Sequence, residues 1–103
     1  MKRGVLFVIP SIAWAATAQA QDLQAGARSA SDVCSQCHAI RGQAPSPNGR
    51  APTFVELANT PGMTTAALTV ALTTPHAGMP MFVLTPEQRQ DIIAYILSLK
   101  RNQ

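Results

Sequence analysis

The sequence predicts an all-α fold, and three observations carry that prediction. Several stretches open on a helix-capping residue and then repeat apolar side chains at helical spacing. Alternation of period two, the mark of a half-buried strand, occurs nowhere after residue 20. Proline and glycine gather between the stretches, where they end one helix before the next begins.

The first twenty residues stand outside that fold. Met1-Lys2-Arg3 is a short positive start, Val5 to Ala18 is a mostly apolar stretch, and Ala18-Gln19-Ala20 is an A-x-A cleavage site before Gln21-Asp22. This is the layout of a secretory signal peptide. A membrane anchor is the alternative, but the stretch holds 14 residues broken by Pro10 and Ser11. Crossing a bilayer takes about 20. No cysteine follows the cleavage site, so a lipoprotein anchor has no support either. The expectation is a protein exported to the periplasm and not membrane-spanning, with residues 1–20 cleaved and residues 21–103 forming one domain.

Cleavage changes the charge. The full chain of 103 residues carries 8 basic and 5 acidic residues, a net +3. Losing Lys2 and Arg3 leaves six basic against five acidic, a net +1. The basic character therefore belongs partly to the leader, and it argues for neither a nucleic-acid partner nor an acidic membrane.

Four helical stretches follow in order. Asp22 is a suitable N-cap for a first helix over Leu23 to Cys37, rich in alanine. Arg41 to Pro52 reads as a loop, dense in Pro45, Ser46, Pro47, Asn48 and Gly49. A short helical turn at Thr53 to Ala58 would face Phe54 and Leu57 inward. Asn59-Thr60-Pro61-Gly62 is a turn, after which Thr64 or Thr65 caps a helix from Thr65 to Thr73. Its Leu68 and Leu72 fall at i and i+4, and Pro75 stops it. The segment from Pro75 to Pro80 cannot be regular. In the last helix Thr85 is the cap, Pro86 takes the first position, and Gln88 completes a capping box. Ile92, Ile93, Ile96, Leu97 and Leu99 form its buried stripe. Glu87, Arg89, Gln90 and Asp91 face water, and Lys100 and Arg101 fall in its last turn, where cations complement the dipole.

The chemistry sits in five residues, Cys34-Ser35-Gln36-Cys37-His38. C-x-x-C-H is the attachment signature of c-type haem. Two thiols can add across the two haem vinyl groups to give thioethers. A spacing of three places Cys34 and Cys37 about one turn apart on one face. His38 follows at once and can reach the iron from the same side. A thioredoxin-like redox pair would need a preceding strand, and Leu23 to Val33 holds no β-branched run. A structural zinc site wants four ligands, whereas the only further Cys or His is the distant His76. A simple disulfide is the third alternative. Haem would also serve as a large apolar core element, which a domain of only 83 residues needs.

With these elements placed, the chain resembles a small bacterial class I cytochrome c over nearly its whole length after residue 20. Three motifs in family order carry the resemblance: the first helix ending in Cys34-Ser35-Gln36-Cys37-His38, Met79-Pro80 after a proline-rich loop, and a last helix with Asp91-Ile92-Ile93-Ala94-Tyr95-Ile96. The resemblance implies the class I cytochrome c fold, about four short helices wrapped around one covalently attached haem c. It implies that Cys34 and Cys37 carry the haem, that His38 is the proximal iron ligand and that Met79 is the distal one. It places the crossing of the first and last helices near Gly26 and Tyr95, and Pro52 where a backbone carbonyl accepts the proximal imidazole N–H. The family often has an aromatic residue four before the first cysteine. This chain has Ala30 there, so Tyr95 is expected to lack its usual ring partner.

Read from the residues alone, the distal ligand has four candidates: Met63, His76, Met79 and Met81. Met63 and Met81 read as packing residues. Pro80 biases Met79 toward extended backbone and Gly78 removes bulk beside it, so the loop can lie flat across a ring. Met79 is the preferred ligand, with Met81 and His76 as the alternatives. Thioether sulfur favours ferrous iron and raises the potential relative to a second imidazole.

Iron with both axial positions filled has no place for substrate, which leaves one-electron exchange. The expected function is a periplasmic electron carrier, not an enzyme. It would dock transiently with a redox-protein donor and acceptor near Pro45, Pro47, Ala77, Met81 and Phe82. The small net charge implies modest electrostatic steering. Two alternatives remain: a fixed cytochrome c subunit of a periplasmic oxidoreductase complex, and a gas-binding haem protein with an open sixth position.

Overall fold

The computed structural model describes residues 1–13 and 21–101. The A-x-A site at Ala18-Gln19-Ala20 lies outside the described residues. Residues 1–13 have no regular secondary structure and are exposed, apolar Phe7 and Ile9 included.

The helices run α1 (Leu23–Val33), α2 (Phe54–Asn59), α3 (Thr65–Thr73) and α4 (Pro86–Ser98). Among the described residues the only β pairing is an isolated bridge between His76 and Met79. Each helix starts on its own side-chain cap. Asp22 accepts from the Ala25 N–H, and Thr64 from that of Ala67. Thr53 and Thr85 form full capping boxes with Glu56 and Gln88. The Thr53–Glu56 box was not foreseen, although its T-x-x-E spacing is in the sequence.

Two ends differ from expectation. α1 stops at Val33, short of Cys37. Cys34 is its C-cap, and its N–H and that of Ser35 both point to the Ala30 carbonyl. The Ser35 hydroxyl takes the Ser31 carbonyl, so the side chain competes with the backbone for acceptors just where the ladder closes. α4 stops at Ser98, which leaves Lys100 and Arg101 beyond the helix rather than in its last turn.

α1 and α4 form the most extensively packed pair, and α2 and α3 both lean on α4. The core is Ala30, Cys34, Ile40, Phe54, Ala58, Leu68, Ile92, Ile93 and Ile96. Leu97 and Leu99 are only half-buried at its edge.

Gly26 is the point of closest approach of α1 and α4. A Cβ there would lie 2.1 Å from the Asp91 carbonyl oxygen and 2.9 Å from the Tyr95 Cβ. Only glycine permits that approach. Asp91, expected to face water, is half-buried, and its carboxylate accepts the Asp22 N–H at 2.9 Å. That bond fastens the start of α1 to α4. Arg89 is likewise half-buried.

Candidate functional site

After α1 the chain keeps turning. The Cys37 N–H meets the Cys34 carbonyl at 3.2 Å and the His38 N–H meets the same carbonyl at 2.9 Å. The two thiols therefore stay one turn apart although the regular helix has ended. Neither is in a disulfide. Cys34 is buried, and burial pushes its thiol up to about 11, while Cys37 is half-buried.

The loop from Arg41 to Pro52 folds back over this turn. The Asn48 N–H meets the Cys37 carbonyl at 3.1 Å, and the Ala39 N–H donates to the Ser46 hydroxyl at 3.0 Å. The Phe54 N–H reaches the Ala39 carbonyl at 2.9 Å. These bonds bring Pro52 beside His38, whose Nδ1 lies 2.6 Å from the Pro52 carbonyl oxygen. A carbonyl can only accept, so the proton belongs on Nδ1. In the neutral ring Nε2 then keeps a bare lone pair, the arrangement in which imidazole binds metals.

Phe54 lies behind the imidazole, ring centroids 5.7 Å apart at 50°. Tyr95 in turn lies 6.4 Å from Phe54 at 57°. The Tyr95 hydroxyl donates to the Ile40 carbonyl at 2.7 Å. Tyr95 was expected to lack a ring partner because Ala30 stands where an aromatic often does. Ala30 is fully buried, and Phe54 supplies the ring from another helix. The signal for it was available: Phe54 is the aromatic residue directly after the Pro52-Thr53 cap.

Beside Cys34 the segment between α3 and α4 bounds an apolar cleft. Val33 and Cys34 line it from α1's end, Leu72 from α3, and His76, Met79 and Met81 from the connecting segment. His76 to Met79 is a tight turn, with the Met79 N–H on the His76 carbonyl at 3.3 Å and Gly78 at φ +79°. Positive φ at the third residue is what a type II turn requires, and glycine supplies it without strain. Three of the four distal candidates thus share the cleft with Cys34. The fourth, Met63, packs against the core instead. Of the three, Met79 is half-buried while His76 and Met81 are exposed. The His76 Nε2 lies 2.9 Å from the Met79 Sδ.

The alternatives for the two cysteines find nothing to stand on here. Among the described residues no strand precedes the motif, and no three His, Cys, Asp or Glu side chains gather as a zinc site would need. The donors present do fit haem: two unpaired thiols one turn apart, an imidazole with a bare Nε2, soft thioethers, and an apolar lining.

A helical fold of this connectivity around such a site defines a c-type cytochrome. A family model described as cytochrome c oxidase, cbb3-type, subunit III matches residues 21–96, and the chain belongs to this cytochrome c family. It is also similar to cytochrome c-552 of Bradyrhizobium diazoefficiens, 32% identical over 98 residues that span 95% of this chain and 94% of that protein. No solved structure matches. The family's cofactor is haem c, bound covalently and carrying iron, and its function is electron transport. No helix among the described residues is long and apolar enough to cross a membrane.

Proposed function

We propose that the protein is a periplasmic one-electron carrier with His38 and Met79 as the axial ligands of one haem c held by Cys34 and Cys37. The observation that carries this reading is the 2.6 Å contact from His38 Nδ1 to the Pro52 carbonyl. It fixes the tautomer, orients the ring and raises the basicity of the Nε2 that would meet the iron. The haem supplies one-electron exchange between Fe(III) and Fe(II). The chain's part is to hold the ligands and exclude water. Phe54 and Tyr95 stiffen the proximal side, and Val33, Leu72 and Leu84 line the distal one.

Docking falls to exposed apolar residues, of which Met81 and Phe82 also line the cleft. Pro45, Pro47, Ala77, Met81 and Phe82 are all exposed. A small apolar surface on a chain with little net charge suits brief encounters with a donor and an acceptor. No catalytic role is assigned to the domain, since a filled sixth position leaves substrate nowhere to bind.

Residues 1–20 act as an export signal in this reading. The exposed apolar run in residues 5–9 and 12 supports it. The mass of the exported protein, less haem, would then correspond to a chain beginning at Gln21.

A second reading has a specific observation behind it: the matching family model is described as an oxidase subunit. Gel filtration of native extract separates the two, because a carrier elutes alone and a subunit elutes with its complex. The ligands are tested by the absorption spectrum of the oxidised protein scanned into the far red. A weak sulfur-to-iron charge-transfer band is expected. A haem spectrum lacking it would remove Met79 from the assignment.

A further inference from the structure

We infer that His76 and Met79 are alternative donors for one distal position, so that the His76–Met79 turn is a built-in ligand switch. The inference rests on the haem reading above and adds a second state to it. The turn carries a nitrogen and a sulfur donor three residues apart, and His76 Nε2 and Met79 Sδ lie 2.9 Å from each other in the cleft. Two donor atoms that close occupy the same place, and a single axial position accepts one of them.

His76 can take up the tautomer that His38 has, by giving up its contact with the Met79 sulfur. Its Nδ1 lies 3.2 Å from the Thr74 carbonyl oxygen, just as that of His38 faces Pro52. Carbonyl oxygen and thioether sulfur both only accept, so the neutral ring satisfies one of them at a time: with the proton on Nε2 it donates to Met79 Sδ, and with the proton on Nδ1 it donates to Thr74 and frees the Nε2 lone pair. The turn is also free to exchange its two donors: residues 73–78 are exposed, and the hinge is Gly78 at φ +79°. Sulfur bound gives a higher potential, and imidazole bound gives a lower one.

The test uses the holoprotein and reads spin state, not activity. Met79→Ala should lose the far-red band yet remain low-spin and refuse carbon monoxide when reduced, because His76 steps in. Met79→Leu keeps the bulk of the side chain and should behave alike, which guards against a folding defect in the alanine variant. Adding His76→Ala to either should give high-spin iron that binds carbon monoxide. High-spin iron in the single variants, or low-spin iron in the doubles, overturns the inference. A wild-type protein lacking the band is a different failure, that of the Met79 assignment. There His76→Ala bringing the band up would support two donors sharing one position, and no change would overturn it.

Discussion

Gly26→Ala tests the helix crossing on which the site is hung. The added Cβ would sit 2.1 Å from the Asp91 carbonyl oxygen, 2.6 Å from its carbon and 2.9 Å from the Tyr95 Cβ. Ordinary contact between such atoms needs about 3.5 Å, so the helices must part by more than about 1 Å. None of the three atoms is the free end of a flexible side chain. Overpacking of this kind costs about 1–3 kcal/mol and occasionally more. Alanine returns about 0.5–1 kcal/mol through its better helix propensity. With two backbone atoms in the clash, the upper part of the range applies, and the net loss should be about 2 kcal/mol. For a domain of this size that lowers Tm by roughly 8–16 °C. Thermal and urea unfolding of the holoprotein, followed by circular dichroism, read it directly. Gly49→Ala is the control, since nothing lies within 4 Å of a Cβ there. If Gly26→Ala melts within a degree or two of wild type, the close approach of α1 and α4 is wrong.

Three further outcomes follow from the same geometry. Tyr95→Phe removes the hydroxyl that donates to the Ile40 carbonyl at 2.7 Å and should cost about 1 kcal/mol in urea unfolding, with the haem spectrum unchanged. Thr85→Ala removes the acceptor for the Gln88 N–H, breaks the α4 capping box and should cost about 1 kcal/mol by the same measurement. Stopped-flow reduction by a physiological donor should vary little with added salt, because a chain that has lost Lys2 and Arg3 with the proposed leader has a net charge of only +1 and offers weak steering; a steep fall would mean a charged docking face.

How much of this was legible depends on how local each cause is. α3 was read to the residue, Thr65 to Thr73, because a threonine cap and a following proline lie within its own segment. The start of α4 was equally plain in Thr85-Pro86 and Gln88. The end of α1 was not, because the Ser35 hydroxyl decides it by capturing a carbonyl, and propensity does not report that competition. Asp91 looked like a water-facing helix residue; its partner, the Asp22 N–H, is 69 positions away and visible only once α1 and α4 cross. Phe54 was read as facing inward, but its pairing with the Tyr95 ring on another helix was not. The Pro52 carbonyl beside His38 was reachable only through family resemblance, since a loop of that length has no periodicity to fix it. The preferred distal candidates His76, Met79 and Met81 were visible as residues of one short segment, but the meeting of His76 and Met79 arises from the turn and not from either residue.

The segments that carry His38 and Met79 are built to different stiffness. His38 is backed by the Pro52 carbonyl, by the Phe54 and Tyr95 rings, and by a loop whose Ala39, Asn48 and Phe54 N–H groups are all satisfied nearby. Moving that imidazole would disturb buried Phe54 and Ile40 and the helix crossing behind them. The distal turn has one backbone bond across it, from the Met79 N–H to the His76 carbonyl, and exposed residues on its flank. Rearranging it leaves the core of α1 and α4 untouched. A chain this small gains much of its stability by anchoring its apolar cofactor to one rigid wall, and that wall must include the covalent links and the proximal ligand. In the proposed arrangement the segment between α3 and α4 would then be free to set the potential and to meet partners, because change there costs the fold little. The exposed residues Ala77, Met81 and Phe82 belong to that same segment. In the proposed carrier, docking there would press on the segment that carries His76 and Met79.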